Sequence, residues 1–296
     1  MAPGGEERLL TRRAGDDTLV VAVRRGDRRV LRSNVISGHW RVSPATLEGG
    51  TTGLSADGGT LVLARPERSF PPTSTRLAVL DARELAVRRR IGLPGFFTVD
   101  AISPDGRWLY LIQYSGADFV DYRVRALDTG TGRLAARDVV DPRSPGEQMG
   151  GLPLTRVMSR DGRWAYTLYG GGEKMFIHAL DTVGRTAACI DLDMLPTQGD
   201  LSGYRLELSD RGRELLVSRA GRLVALVDTR SFAARAPGEA PTRHSDQPKD
   251  RRPAAAPAGD DGGFPWFGIP AIAALAGLCA VCVVLVRRRA FAPRRG

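Results

Sequence analysis

Lysine and asparagine are almost missing from this chain. Of its 43 basic residues only Lys174 and Lys249 are lysine, the rest being arginine, and Asn34 is the single asparagine. Three cysteines, Cys189, Cys279 and Cys282, are too few for a disulfide-held scaffold. Histidine occurs three times, at His39, His178 and His244, with no His-x-x-x-His pair, no nucleophile elbow and no phosphate loop. The glycines at 170–172 lead into Glu-Lys-Met rather than Lys-Ser or Lys-Thr, so they read as a hairpin loop. Helical periodicity is absent before residue 264. The first 17 residues, MAPGGEERLLTRRAGDD, contain no apolar stretch of the kind a secretory leader needs.

The formal net charge of +10 is unevenly placed. Five arginines, Arg287, Arg288, Arg289, Arg294 and Arg295, fall in the last ten residues, residues 236–263 carry −1, and the first 235 hold +6. With abundant Arg, Ala, Gly and Pro, arginine reads as the surface cation favoured by a GC-rich genome. No continuous basic helix and no basic groove interleaved with aromatics accompanies it, so nucleic acid is not an expected partner.

Residues 264–286, FPWFGIPAIAALAGLCAVCVVLV, are 23 positions without a charge. As a helix they would extend about 35 Å, enough for a hydrocarbon core of about 30 Å. Pro265 and Pro270 lie near the start, where missing donors are tolerated, and Trp266 and Phe267 suit an interfacial belt. Arg287–Arg289 follow and Asp260 and Asp261 precede, so a single transmembrane helix is expected with its 287–296 tail in the cytoplasm and everything before it outside. Its partner would be the lipid bilayer, and the location the cell membrane. A leader upstream of the given start fits that orientation; a tail-anchored domain kept in the cytoplasm is the other reading. Cys279 and Cys282 then read as small apolar residues. The preceding segment, 236–263, has five prolines and nothing larger than alanine to bury, which predicts a disordered tether spanning about 30 Å.

Before the tether the chain repeats itself. SADGGTLVL at Ser55 returns as SPDGRWLYL at Ser103, SRDGRWAYT at Ser159 and, degraded, SDRGRELLV at Ser209. A second motif follows each copy: AVLDARE, RALDTGT, HALDTVG and ALVDTRS, aligning Asp81, Asp128, Asp181 and Asp228. Asp-Gly before an apolar run predicts a tight hairpin, with Gly58, Gly106, Gly162 and Gly212 at positive φ in a type I′ turn. Each repeat divides into four short strands, in the second about 96–102, 107–114, 121–128 and 134–140.

The S-P-D-G-R-x-L-Y and L-D-T pairs resemble those of WD40-like and YVTN-type bacterial propeller proteins, over about residues 46–235. That resemblance implies an all-β fold, a β-propeller, and is silent on activity. With TLVVAV at 18–23 contributing to a fifth blade, residues 17–235 are expected to form about five four-stranded blades, closed or partly open, after a segment 1–16 of unassigned structure and before the single transmembrane helix.

In such a blade the repeated turns share one face, and the irregular loops gather on the other. The irregular segments are 93–97, 114–121, 141–153 and 169–174. They bring Phe96, Phe97, Tyr114, Phe119 and Tyr169 toward one surface, as fillers between blades or as an aromatic recognition face for a protein or a glycan. Three residues before each motif serine stand Thr52, Asp100, Arg156 and Leu206, and of these Asp100 and Arg156 are candidate channel residues that would pair with each other rather than cage a metal. No cofactor, no metal and no catalytic residue is expected. The function expected is a non-enzymatic binding, scaffolding or sensing module displayed outside the membrane; the alternative is a hydrolase or lactonase-like enzyme with an unrecognised channel site.

Overall fold

Alternating apolar and polar positions become strands, and short turns pair those strands with their neighbours in sequence. The computed structural model describes residues 7–67, 69–115, 122–146, 149–197 and 199–240. Among these residues there are twenty strands, in five antiparallel sheets, and no helix. Sheet I contains β1 (Glu7–Ala14), β2 (Asp17–Arg24) and β3 (Val30–Ile36). Sheet II contains β4 (Arg41–Pro44), the short β5 (Thr51–Thr52), β6 (Thr60–Ala64), β7 (Ser74–Asp81) and β8 (Ala86–Pro94). Sheet III is β9 (Phe97–Ile102), β10 (Trp108–Tyr114), β11 (Tyr122–Asp128) and β12 (Arg133–Val139). Sheet IV is β13 (Leu152–Met158), β14 (Trp164–Gly170), β15 (Phe176–Asp181) and β16 (Thr186–Asp191). Sheet V is β17 (Tyr204–Leu208), β18 (Glu214–Arg219), β19 (Arg222–Asp228) and β20 (Ala234–Arg235). The strands of sheet III lie within two residues of those read from the repeat, and β1 falls inside the segment 1–16.

The repeated turns form with one change from the expected type. Gly58, Gly106, Gly162 and Gly212 have φ of 68°, 73°, 73° and 67°, but the residues before them do not share the positive φ that a type I′ turn requires. Gly106 N–H bonds Ser103 O at 2.9 Å and Ser103 N–H bonds Trp108 O at 2.8 Å, so the loop is a four-residue type I turn closed by a left-handed glycine. Side chains select it. Ser103 Oγ donates to Asp105 Oδ1 at 2.6 Å and accepts from Trp108 N, while Asp105 Oδ1 also accepts from Arg107 N. The Ser55 and Ser159 copies repeat this set. In the degraded copy Arg211 stands where the others have Asp, and Ser209 Oγ still accepts from Glu214 N at 3.1 Å.

The second motif is also structural. Asp81, Asp128, Asp181 and Asp228 each accept backbone N–H bonds within the next three residues. The fourth residue on is left-handed in every copy: Leu85, Gly132, Arg185 and Phe232. The following threonines bind the two motifs together. Thr129, Thr182 and Thr229 Oγ1 donate to the carbonyls of Gly106, Gly162 and Gly212 at 2.8, 3.1 and 2.9 Å. Both motifs therefore lie at one end of each sheet.

Each sheet packs face to face on the next. Leu61, Leu63 and Leu80 of sheet II meet Val20 and Ile36 of sheet I. Val62 and Val79 meet Val99 and Leu111 of sheet III, whose Tyr110 and Val124 meet Leu180 and Tyr169 of sheet IV. Leu168 and Ile177 of sheet IV meet Leu206 and Val217 of sheet V. Among the described residues no such cluster joins sheet V to sheet I.

A flat pile would separate sheets II and V by about 30 Å, at about 10 Å per layer. Instead Leu47, in the β4–β5 turn, donates its N–H to Pro153 O at 2.9 Å and packs against the core of sheets IV and V, and neighbouring Glu48 pairs with Arg205. A Cβ on Gly162 of sheet IV would come within 2.5 Å of Ala56 of sheet II. The inner edges thus converge on a hub, which is the packing of propeller blades. No helix among the described residues is long and apolar enough to cross a membrane; the expected span 264–286 and the 287–296 tail lie outside the described residues.

Candidate functional site

With both motifs occupied at one end of the sheets, the irregular loops lie at the other. There the β8–β9 connection places Phe96 beside the end of β10, and Tyr114 N–H donates to Phe96 O at 3.0 Å. Their rings stack at 4.6 Å, and Phe70 meets Phe96 edge-on at 5.7 Å. The series continues inward: Tyr114 to Tyr122 at 6.2 Å, Tyr122 to Tyr169 at 5.7 Å, and Tyr169 to Phe176 at 5.2 Å. Burial changes along it. Phe70 is 45% exposed, Phe96 and Tyr114 are half-buried, and Tyr122 and Tyr169 are buried between sheets III and IV.

Of the five aromatics read from the sequence, Phe96 and Tyr114 touch each other near the surface. Tyr169 belongs to the core between sheets III and IV, and Phe97 to the core between sheets II and III. Phe119 lies outside the described residues. Phe70, Tyr122 and Phe176 went unnoticed in the sequence. Tyr122 had a legible signal, because pairing β10 with β11 sets it opposite Tyr114.

Beneath the aromatics lies a polar group. Asp100 on β9 and Arg156 on β13 are in contact across the boundary of sheets III and IV, the guanidinium donating to both the carboxylate and the carbonyl of Asp100. Arg156 Nε donates to Thr167 Oγ1 at 2.8 Å. Thr52 and Leu206, at the matching offsets, take no part: Thr52 lies on β5, and Leu206 is in the core of sheets IV and V. Of the six buried side-chain atoms without a hydrogen-bond partner among the described residues, four belong to this boundary: Asp100 Oδ2, the hydroxyls of Tyr122 and Tyr169, and His178 Nε2.

Desolvation pushes the phenols of Tyr114, Tyr122 and Tyr169 above their ordinary range. It drives His178 down to about 4, with Arg156 adding to the effect and Asp100 and Asp141 opposing it. The imidazole is therefore neutral at physiological pH. The set offers a fixed carboxylate oxygen, two phenols and a neutral imidazole, which suits hydrogen bonding to water or a small polar molecule. Among the described residues no three His, Cys, Asp or Glu side chains converge as metal ligands. Tyr122 also borders a cavity of about 330 Å³ with Val139, Asp141, Met149 and Cys189. Asp141 holds that wall by accepting from Arg143 and from Cys189 N.

No protein-family model matches the chain, and no curated protein does. Solved structures with similarity to it include TolB from Acinetobacter baumannii, 13% identical over 79% of this chain with a TM-score of 0.45; the match spans 51% of that protein. The Cps50 (Swd1) β-propeller domain of Myceliophteria thermophila is 15% identical, over 79% of this chain and 69% of that one, with a TM-score of 0.42. Hydrazine synthase of Kuenenia stuttgartiensis is 15% identical, over 77% and 75%, also with a TM-score of 0.42.

Proposed function

We propose that this chain is a non-enzymatic binding module held at the cell membrane. The span 264–286 anchors it, the sheets stand outside the cytoplasmic membrane, and the tail 287–296 lies within. The loop face meets a protein or glycan partner through the outer end of the aromatic series, Phe70, Phe96 and Tyr114.

One observation carries this reading: the aromatic series crosses from a buried anchor at Tyr169 to a solvent-exposed ring at Phe70. Rigid aromatics set on a packed base are the groups that recognition surfaces use for affinity at low entropic cost.

The test is an oligosaccharide array probed with full-length protein, alongside the Phe70→Ala/Tyr114→Ala double variant. The variant is expected to lose the wild-type signal while melting within a few degrees of it. Equal signals, or collapse of the variant's fold, would show that the outer rings are filler. Tyr169→Ala is expected to cost about 3–5 kcal/mol of stability, as truncation of a fully buried aromatic does.

A further inference from the structure

Away from the aromatic series, the pleat of sheet II sets three arginines around one opening. Arg65 follows β6, and its N–H bonds Arg76 O on β7 at 2.9 Å, so the two residues are cross-strand neighbours. Arg76 pairs in turn with Gly92 on β8, and two residues back Arg90 pairs with Ala78. Arg76, Arg90 and Gly92 therefore share a face with Ala78, which is fully buried against sheet I. On the fourth strand the β4–β6 register, continued one step past Arg41 and Ala64, sets Trp40 beside Arg65.

The result is an open cavity of about 440 Å³ lined by Ser37, Gly38, Trp40, Arg65, Arg76 and Arg90, with Gly92 at its floor. The wall beside the arginines is fixed. Trp40 is buried, its indole N–H donates to Ser37 O at 2.8 Å, and Gly38 N–H is held by Asp17 Oδ1 at 3.1 Å. Gly92 leaves the floor empty, since a Cβ there would meet nothing within 4 Å.

Like charges directly opposite on a sheet destabilise it. In three other places the sheets set carboxylates beside arginines: Asp138 beside Arg123 and Arg125, Asp181 beside Arg163, and Glu214 beside Arg235. Here no carboxylate lines the cavity, and none of the three arginines makes an ion pair among the described residues. Arg90 Nη2 donates to Ser37 O at 3.3 Å, but that bond leaves the three charges unneutralised. An anion neutralises them, and guanidinium forks match the oxygens of a tetrahedral oxyanion.

We infer that the cavity of Trp40, Arg65, Arg76 and Arg90 binds a phosphate or sulfate group. The group is either a free anion or an ester on a larger molecule, and the same forks receive both. The empty floor at Gly92 and the opening to solvent leave room for whatever carries it.

The test is titration calorimetry of the full-length protein in detergent with three probes, inorganic phosphate, inorganic sulfate and glycerol phosphate. Saturable one-site binding that weakens with added chloride is expected for at least one. Tighter binding of glycerol phosphate points to an esterified source, and tighter binding of an inorganic ion to the free anion. Arg65→Ala/Arg76→Ala is expected to weaken binding at least tenfold, and Arg88→Ala, which removes an arginine already paired with Asp81, to leave it unchanged. Gly92→Asp is a second probe that keeps every arginine: it sets a carboxylate in open space beside Arg76 and is expected to abolish binding with the fold intact. Absence of saturable binding to all three probes, or binding that survives both Arg65→Ala/Arg76→Ala and Gly92→Asp, overturns the assignment.

Discussion

His178 shows what burial does to a single group. The unfolded imidazole titrates near 6.5 and the folded one near 4, so between those values the unfolded chain binds the extra proton. Its contribution to stability is full above pH 6.5 and declines as pH falls toward 4, by up to about 3 kcal/mol. His178→Phe is expected to flatten that decline, as read from urea midpoints at pH 7.5, 5.5 and 4.5. The carboxylates of Asp128, Asp181 and Asp228 are held below their usual range, and their stabilisation is lost only as pH falls below it, so the two windows separate. At this scale the sequence was legible where a repeat offset applied: Asp100 and Arg156 stand at matching places in neighbouring copies. Tyr169 was harder to place. It follows an apolar run and precedes three glycines, which reads as loop, but β14 continues through it and sets it between Pro153 and Phe176 in the ladder.

Hairpins explain why the strands could be read so closely. Ser-x-Asp-Gly encodes its turn entirely through local bonds, as does the Asp of the second motif, so each strand boundary is written beside the strand. The turn type was read wrongly for a physical reason. Asp-Gly alone favours two left-handed residues, whereas here the serine two positions earlier donates to the Asp carboxylate and accepts the N–H of the residue three past the Asp, closing a loop in which only the glycine has positive φ. The threonine of the second motif could not be interpreted from sequence, because its acceptor is the glycine carbonyl of the other motif about 20 residues back. Thr182→Val removes that buried donor, which also reaches Arg163 O at 2.8 Å. We expect a loss of about 1 kcal/mol, seen as a melting temperature lower by a few degrees. Thr186→Val, at an exposed strand position, is the neutral control.

For the molecule as a whole, sequence order becomes spatial order: four core clusters link five sheets in succession, each buried by the next. The repeat made that succession legible. The hub was not, because Leu47 and Glu48 lie in an irregular insertion and their partners belong to other copies. The anchoring proposal is tested at this scale too. Full-length protein is expected to sediment with membranes until detergent is added, while a chain ending at Ala240 stays in the supernatant. Full-length protein that remains in detergent-free supernatant would remove the anchor from the proposal.

The crossing of Leu47 and Glu48 to Pro153 and Arg205 also bears on biosynthesis. A ribosome delivers the β4–β5 turn long before either partner emerges, so the sheets cannot be finished one by one as they leave the exit tunnel. Until sheet V arrives, a nascent chain carries an open hub with an apolar leucine on its rim, the kind of surface that recruits chaperones or neighbouring nascent chains.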